Sequence, residues 1–214
     1  APVANDDTVP LALTEDGANG TVNVLTNDTD ADGNPTPTSG HTVDLDPAAG
    51  VQNTFTNAQG VWTYDTATGV VTFDPAPNFN GTATLPYTLC DAAASRDPAT
   101  ITFTVTAVND APVVTNDTVT TPEDTIVTGT VLTAGDSDPD GTMLTVNTTP
   151  VSGPVAGASI TINANGTYTY TPAPGFNGTD SITIAVCDSG LPLPGLCTTQ
   201  TLNITVSSVN DAPV

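Results

Sequence analysis

"PAPGFNGTDSITIAVCDSG", residues 172–190, is the stretch whose reading decides the fold. After a turn rich in Pro and Gly, Ile182, Ile184 and Val186 recur at every second position, with Ser181 and Thr183 between them. A period of two places the apolar side chains on one face of a half-buried strand. The same texture returns in "SITI" (159–162), "TYTY" (167–170) and "ITFTV" (101–105), with turn residues between strands in "NANG" (163–166) and "TATG" (66–69). Helical periodicity is absent. About seven short strands in about 100 residues predict an all-β protein built from immunoglobulin-like sandwiches. The expected core is Val71, Phe73, Phe79, Leu85, Tyr87, Ile101, Phe103 and Val105, then Ile160, Tyr168, Tyr170, Phe176, Ile182, Ile184, Ile204 and Val206.

The quoted stretch has a partner upstream. "PAPNFNGT" (75–82) matches "PAPGFNGT" (172–179), "NDTDADG" (27–33) matches "GDSDPDG" (135–141), and Cys90-Asp91 matches Cys187-Asp188. "VNDAPV" occurs whole at 108–113 and again at 209–214. A fixed period of this size marks tandem repeats, so the chain divides into residues 1–108 and 109–214.

Composition narrows the function. The 214 residues include 23 acids, one arginine (Arg96) and no lysine, for a formal net charge of −22. Self-repulsion on that scale opposes a compact state unless counter-charge is bound. Yet 37% of the residues are hydrophobic and fall in strand-like order, which favours a folded, cation-requiring protein over a disordered tail. Nucleic acid is excluded for want of a basic footprint, and direct membrane insertion for want of a long apolar run. The abrupt start at "APVANDD" reads as a piece of something longer. Cys187 and Cys197 lie close enough in sequence to close a short loop, which suits an oxidising, extracellular setting, and leave Cys90 as a buried free thiol.

The acids sit at matching places in both repeats: Glu15-Asp16 and Glu123-Asp124, the runs 28–32 and 136–140, the single Asp91 and Asp188, and the Asn-Asp pairs 109–110 and 210–211. Calcium takes six to eight oxygen ligands from carboxylates, amides and carbonyls, and alternate spacing in a loop can turn successive carboxylates to one centre. Zinc would want His or Cys, which the chain scarcely has. An EF-hand is excluded, because its twelfth position requires Glu and counting from Asp28 or Asp136 gives Ser39 or Asn147. Solvated acidic turns are the plain alternative.

With these motifs in view, "TED" and "PED", "DTDADGN" and "DSDPDG", "CDSGLP" (187–192) and the joint "VNDAPV" resemble the calcium motifs of cadherin repeats. "PAPGFNGTDSITIAVCDSG" and "GTVNVLTNDTDADG" are similar to the cadherin-like tandem repeats of very large bacterial surface adhesins, and the Cys-Asp…Cys segment resembles repeats of gliding-motility adhesins. The resemblance implies two Greek-key sandwiches with a Ca2+ cluster at each domain junction. One junction would use Glu15 and Asp74, with Asn109 and Asp110, and Asp136, Asp138 and Asp188; Asp16 and Asp140 would be further members. Asp28, Asp30 and Asp91 would form the equivalent top of the first repeat, and Glu123, Asn210 and Asp211 would begin another junction. The chain departs from the animal pattern at Ala107, where an aspartate would stand. It also departs from its own symmetry, with Thr171 opposite Asp74 and Ala83 opposite Asp180.

Other features have plainer readings. His41 is expected to be a loop residue, since no second His exists to complete a site. Trp62 and Tyr64 alternate with Val61 and Thr63 as packed residues do; a sugar-stacking surface is their alternative role. A disulfide loop of the 187–197 size gains about 2–3 kcal/mol by the chain-entropy argument. Nucleophile elbow, phosphate loop and H-E-x-x-H are all missing, so no enzyme is expected. The sequence therefore predicts a secreted, cell-surface spacer whose partners are neighbouring repeats of the same long chain. Surface glycans or a second copy in homophilic adhesion are the alternative partners.

Overall fold

The structure, a computed structural model, describes every residue except 47, 49, 156, 191, 193 and 211–214; Asp211 therefore lies outside the described residues. Contacts divide the chain into Ala1–Val108 and Asn109–Val214.

In the first repeat the strands are β1 (Pro2–Val3), β2 (Asp7–Thr8), β3 (Leu13–Thr14), β4 (Gly20–Asn23), β5 (Thr29–Asp30), β6 (Thr42–Asp44), β7 (Thr54–Asn57), β8 (Gly60–Asp65), β9 (Val70–Pro75), β10 (Gly81–Cys90) and β11 (Arg96–Thr106). One sheet has the order β2-β11-β10-β6, with β3 also on β11; the other is β4-β9-β8-β7, and β1 pairs with β5. Tyr87, Ile101, Phe103 and Val105 from the first sheet meet Trp62, Val71 and Phe73 from the second, all buried. Trp62 stacks on Phe73 with ring centroids 4.1 Å apart and ring planes 28° from parallel.

Among the described residues the second repeat has seven strands: β12 (Asp117–Pro122), β13 (Val127–Thr130), β14 (Thr145–Val146), β15 (Ser159–Ile162), β16 (Thr167–Thr171), β17 (Gly178–Cys187) and β18 (Cys197–Ser207). They form the sheets β12-β18-β17-β14 and β13-β16-β15. Ile182, Ile184 and Val186 of the quoted stretch point inward from β17, as the alternation requires, and pack with Tyr168, Tyr170, Leu202 and Ile204. Phe79, Phe176 and Ile160, expected in the core, are only half-buried. The two phenylalanines lie in the turns before β10 and β17, and Ile160 is on β15, an edge strand with a neighbour on one side alone.

Outward positions are largely threonine, which fits a pleated, half-exposed surface. One unbroken row crosses the sheet β4-β9-β8-β7 as Thr21, Thr72, Thr63 and Thr54.

In each repeat an early segment of the chain runs parallel to the last strand. β2 and β3 run alongside β11, and β12 runs alongside β18 from Asp117 opposite Leu202 to Pro122 opposite Ser207. A chain whose first and last strands run the same way leaves a domain at the pole opposite the one it entered. We call these the leading and trailing poles of each repeat.

Candidate metal centre

At the leading pole of the second repeat the acids come together through hydrogen bonds. Asp188 follows β17 directly, and its Oδ2 accepts the side-chain amide of Asn109 at 2.9 Å. The backbone N–H of Asp110 donates to Asp140 Oδ2 at 2.8 Å. The N–H groups of Asp140 and Thr142 donate to Asp138 Oδ1 at 3.1 and 3.2 Å, an Asx-type turn that curls the loop around its own carboxylate. Asn109, Asp110, Asp138, Asp140 and Asp188 thus form one all-oxygen patch. Two of its atoms, Asn109 Oδ1 and Asp138 Oδ2, are buried and accept no hydrogen bond. A buried acceptor without a donor costs free energy, and a hard cation supplies the missing partner. The donor types fit calcium, which accepts carboxylate and amide oxygens in mixed sets.

Burial works to raise the pKa of Asp188, but the Asn109 amide and the N–H groups of Leu196 and Gly190 outweigh it and hold this carboxyl below its ordinary range.

Asp136 does something else. Its Oδ1 accepts the N–H and hydroxyl of Thr115 at 2.9 and 3.1 Å, and its Oδ2 the N–H and hydroxyl of Thr133 at 2.8 and 3.4 Å. Both oxygens are engaged in bracing the segment before β12 against the loop after β13. Asp28 is the first repeat's equivalent: its Oδ1 accepts the N–H of Asn5 at 2.8 Å, and its Oδ2 is buried without a donor. It faces inward, beside Asp7 and the Tyr87 hydroxyl. Asp7 accepts that hydroxyl at 3.0 Å, and its pKa is pushed up to about 6, chiefly by burial.

At the leading pole of the first repeat, Asp30, Asp32 and Asp91 line a cleft of about 330 Å³ with His41. The Ala1 amine lies 3.6 Å from Asp30 and 3.9 Å from Asp91, so these two carboxylates converge on one cationic group. His41 lies outside the strands, and its Nε2 is 3.1 Å from Asp30 Oδ2. Hydrogen bonding from the N–H of Asp32, then from His41, lowers the Asp30 pKa.

At the trailing poles stand the glutamates. Glu15 is buried, receives the Asn80 side-chain amide at 3.0 Å and also the N–H of Val108. Glu123 repeats this with the N–H of Val209 at 2.6 Å. Asp16 and Asp124 both take positive φ, 54° and 56°, and each accepts an N–H from the Pro-Ala-Pro turn: Asn78 at 3.4 Å and Gly175 at 3.0 Å. These two aspartates tie down a turn. Asp74 projects outward from β9, exposed, and is not hydrogen-bonded to the other acids.

Sequence reasoning missed Asn80, Asp7 and the role of His41. Asn80 could have been found in the "FNGT" that both repeats share; Asp7 acts through Tyr87, far away in sequence, and His41 meets Asp30 across a loop, so neither carried a local signal. The cysteines lie as expected: Cys187–Cys197 is a disulfide and Cys90 a buried free thiol.

Among solved structures, mouse cadherin-23 EC22-24 is similar to this chain with a TM-score of 0.57 at 20% identity, over 97% of this chain and 65% of that one. The protocadherin gamma B2 extracellular cadherin domains 1-5 are similar with a TM-score of 0.53 at 19% identity, over 98% of this chain and 40% of that one. The chain thus spans less than two thirds of either structure, and likeness at this identity concerns the fold. No curated protein sequence matches. The profile of the bacterial Ig domain matches residues 1–104 and again 109–205. Two sandwiches, each matched almost end to end, make this chain a member of the bacterial Ig domain family.

Proposed function

We propose that the chain is a calcium-binding spacer of a bacterial cell-surface adhesin, exported from the cell, in which Ca2+ joins neighbouring repeats into a stiff stalk. The observation that carries this reading is the leading pole of the second repeat, where five oxygen-bearing side chains gather and two of their buried atoms lack a donor. Opposite poles for chain entrance and exit suit a string of domains. Glu15, buried at the trailing pole of the first repeat, is a further candidate ligand there. Extracellular calcium modules commonly work at about 10⁻⁴–10⁻³ M, so external calcium would load the site.

Polysaccharide binding would call for exposed aromatic platforms. All ten aromatic side chains are among the described residues, and each is buried or half-buried, which weighs for the spacer. The gathered acids are repeated along the chain and lie at poles, a distribution suited to ligation and not to one catalytic cleft. No helix among the described residues is long and apolar enough to cross a membrane.

Calorimetric titration with calcium, paired with small-angle scattering in calcium and in chelator, tests the reading. Expected are binding in the sub-millimolar to millimolar range and an extended, stiff particle that becomes flexible on chelation. Absence of calcium binding in millimolar calcium overturns it.

A further inference from the structure

We propose that the Cys187–Cys197 disulfide positions Asp188 for cation binding, so that breaking it weakens calcium affinity and does more than lower stability. This rests on the calcium reading above. The two repeats place the same carboxylate by different means. In the first, Asp91 sits in a five-residue turn that closes on itself: the Asp91 N–H donates to the Ser95 carbonyl at 3.0 Å, and the Ser95 N–H returns to Asp91 Oδ1 at 2.8 Å. Cys90 stands opposite Arg96 in the register, with no bridge needed.

In the second repeat the turn has grown to residues 188–196. Asp188 must hold both ends of it, accepting the N–H of Gly190 at 2.6 Å and that of Leu196 at 3.1 Å, while its own N–H donates to the Leu196 carbonyl at 3.1 Å. Closing a longer loop costs more chain entropy, and the last rungs of a hairpin are where opening begins. Cys187 and Cys197 are the last facing pair of β17 and β18, one residue outside this ring of bonds. The bridge therefore stops the ladder from fraying into the loop that orients Asp188. The same carboxylate holds the Asn109 amide, so a loosened loop also releases a second member of the patch.

Reduction by an external dithiol moves two electrons into the S–S bond; both cysteines become thiols and the reagent closes to its own disulfide. The test uses the whole chain, oxidised or dithiol-reduced, alongside the Cys187→Ser/Cys197→Ser double variant. Two quantities are read: amide hydrogen exchange in chelator, and calcium affinity by titration. Expected are exchange at Gly190 and Leu196 at least tenfold faster without the bridge, Ser95 unchanged, Ile184 still protected, and at least fivefold weaker calcium binding. Unchanged exchange at Gly190 and Leu196 overturns the proposal whether or not calcium binds. So does faster exchange with undiminished affinity, or loss of protection at Ile184 in both arms, since the bridge is then a stability element only. If the oxidised chain binds no calcium, the calcium reading falls and takes this inference with it.

Discussion

Asp136 and Asp138 are two positions apart in one acidic run and do different work. Asp138 presents a buried oxygen with no donor, whereas both oxygens of Asp136 are taken up by Thr115 and Thr133. Asp138→Asn should therefore cut calcium affinity at least tenfold, read by titration, with little change in the melting temperature of the calcium-free chain. Asp136→Ala should instead cost roughly 1–3 kcal/mol in chelator, because each net hydrogen bond contributes about 1 kcal/mol; denaturant unfolding measures it. Asp7 offers a pH signature. Its folded pKa, near 6, lies above the ordinary value of 3.8, so the carboxyl is tolerated while protonated. That part of the stability is present below about pH 4 and is lost as pH rises through about 6. Melting curves in chelator at pH 4 to 7 should show the wild type falling relative to Asp7→Asn; parallel profiles would refute the assignment.

The paired hairpins β10–β11 and β17–β18 carry an experiment already half performed by the chain. Cys90 faces Arg96 as Cys187 faces Cys197. Arg96→Cys should form a second disulfide and stabilise the first repeat by up to about 2 kcal/mol, the chain-entropy value for so short a loop, seen as a reducible rise in melting temperature.

Elements of this length were legible from alternation, since Ile182, Ile184 and Val186 could face only one way. The two-residue strands β1, β2, β3, β5 and β14 were not, because pairing partners far along the chain create them and no local period announces them. Trp62 and Tyr64 followed the rule of alternation into the core, while Phe79 and Phe176, which sit in turns, did not. For the candidate site, spacing located the acids but not their directions. Asp28, Asp136 and Asp138 look alike in a run, and only the fold decides which oxygens meet a backbone N–H and which are left without one.

For the whole molecule, the charge of −22 with one arginine means that folding concentrates repulsion. In chelator at low ionic strength the melting temperature should rise with sodium chloride as the Debye length shortens from about 30 Å at 0.01 M to 10 Å at 0.1 M. Millimolar calcium should raise it further than the same ionic strength of sodium; an equal effect would mean screening alone.

The solitary Arg96 also fixes how the chain meets enzymes that cut after basic residues. They find one address, at the exposed end of β11 where the ladder with β10 begins. A clip there leaves the halves stitched by the remaining rungs, so a nicked molecule runs as two pieces on a denaturing gel and as one under native conditions. A chain of this composition outlasts attack by such proteases that would shred a lysine-rich one.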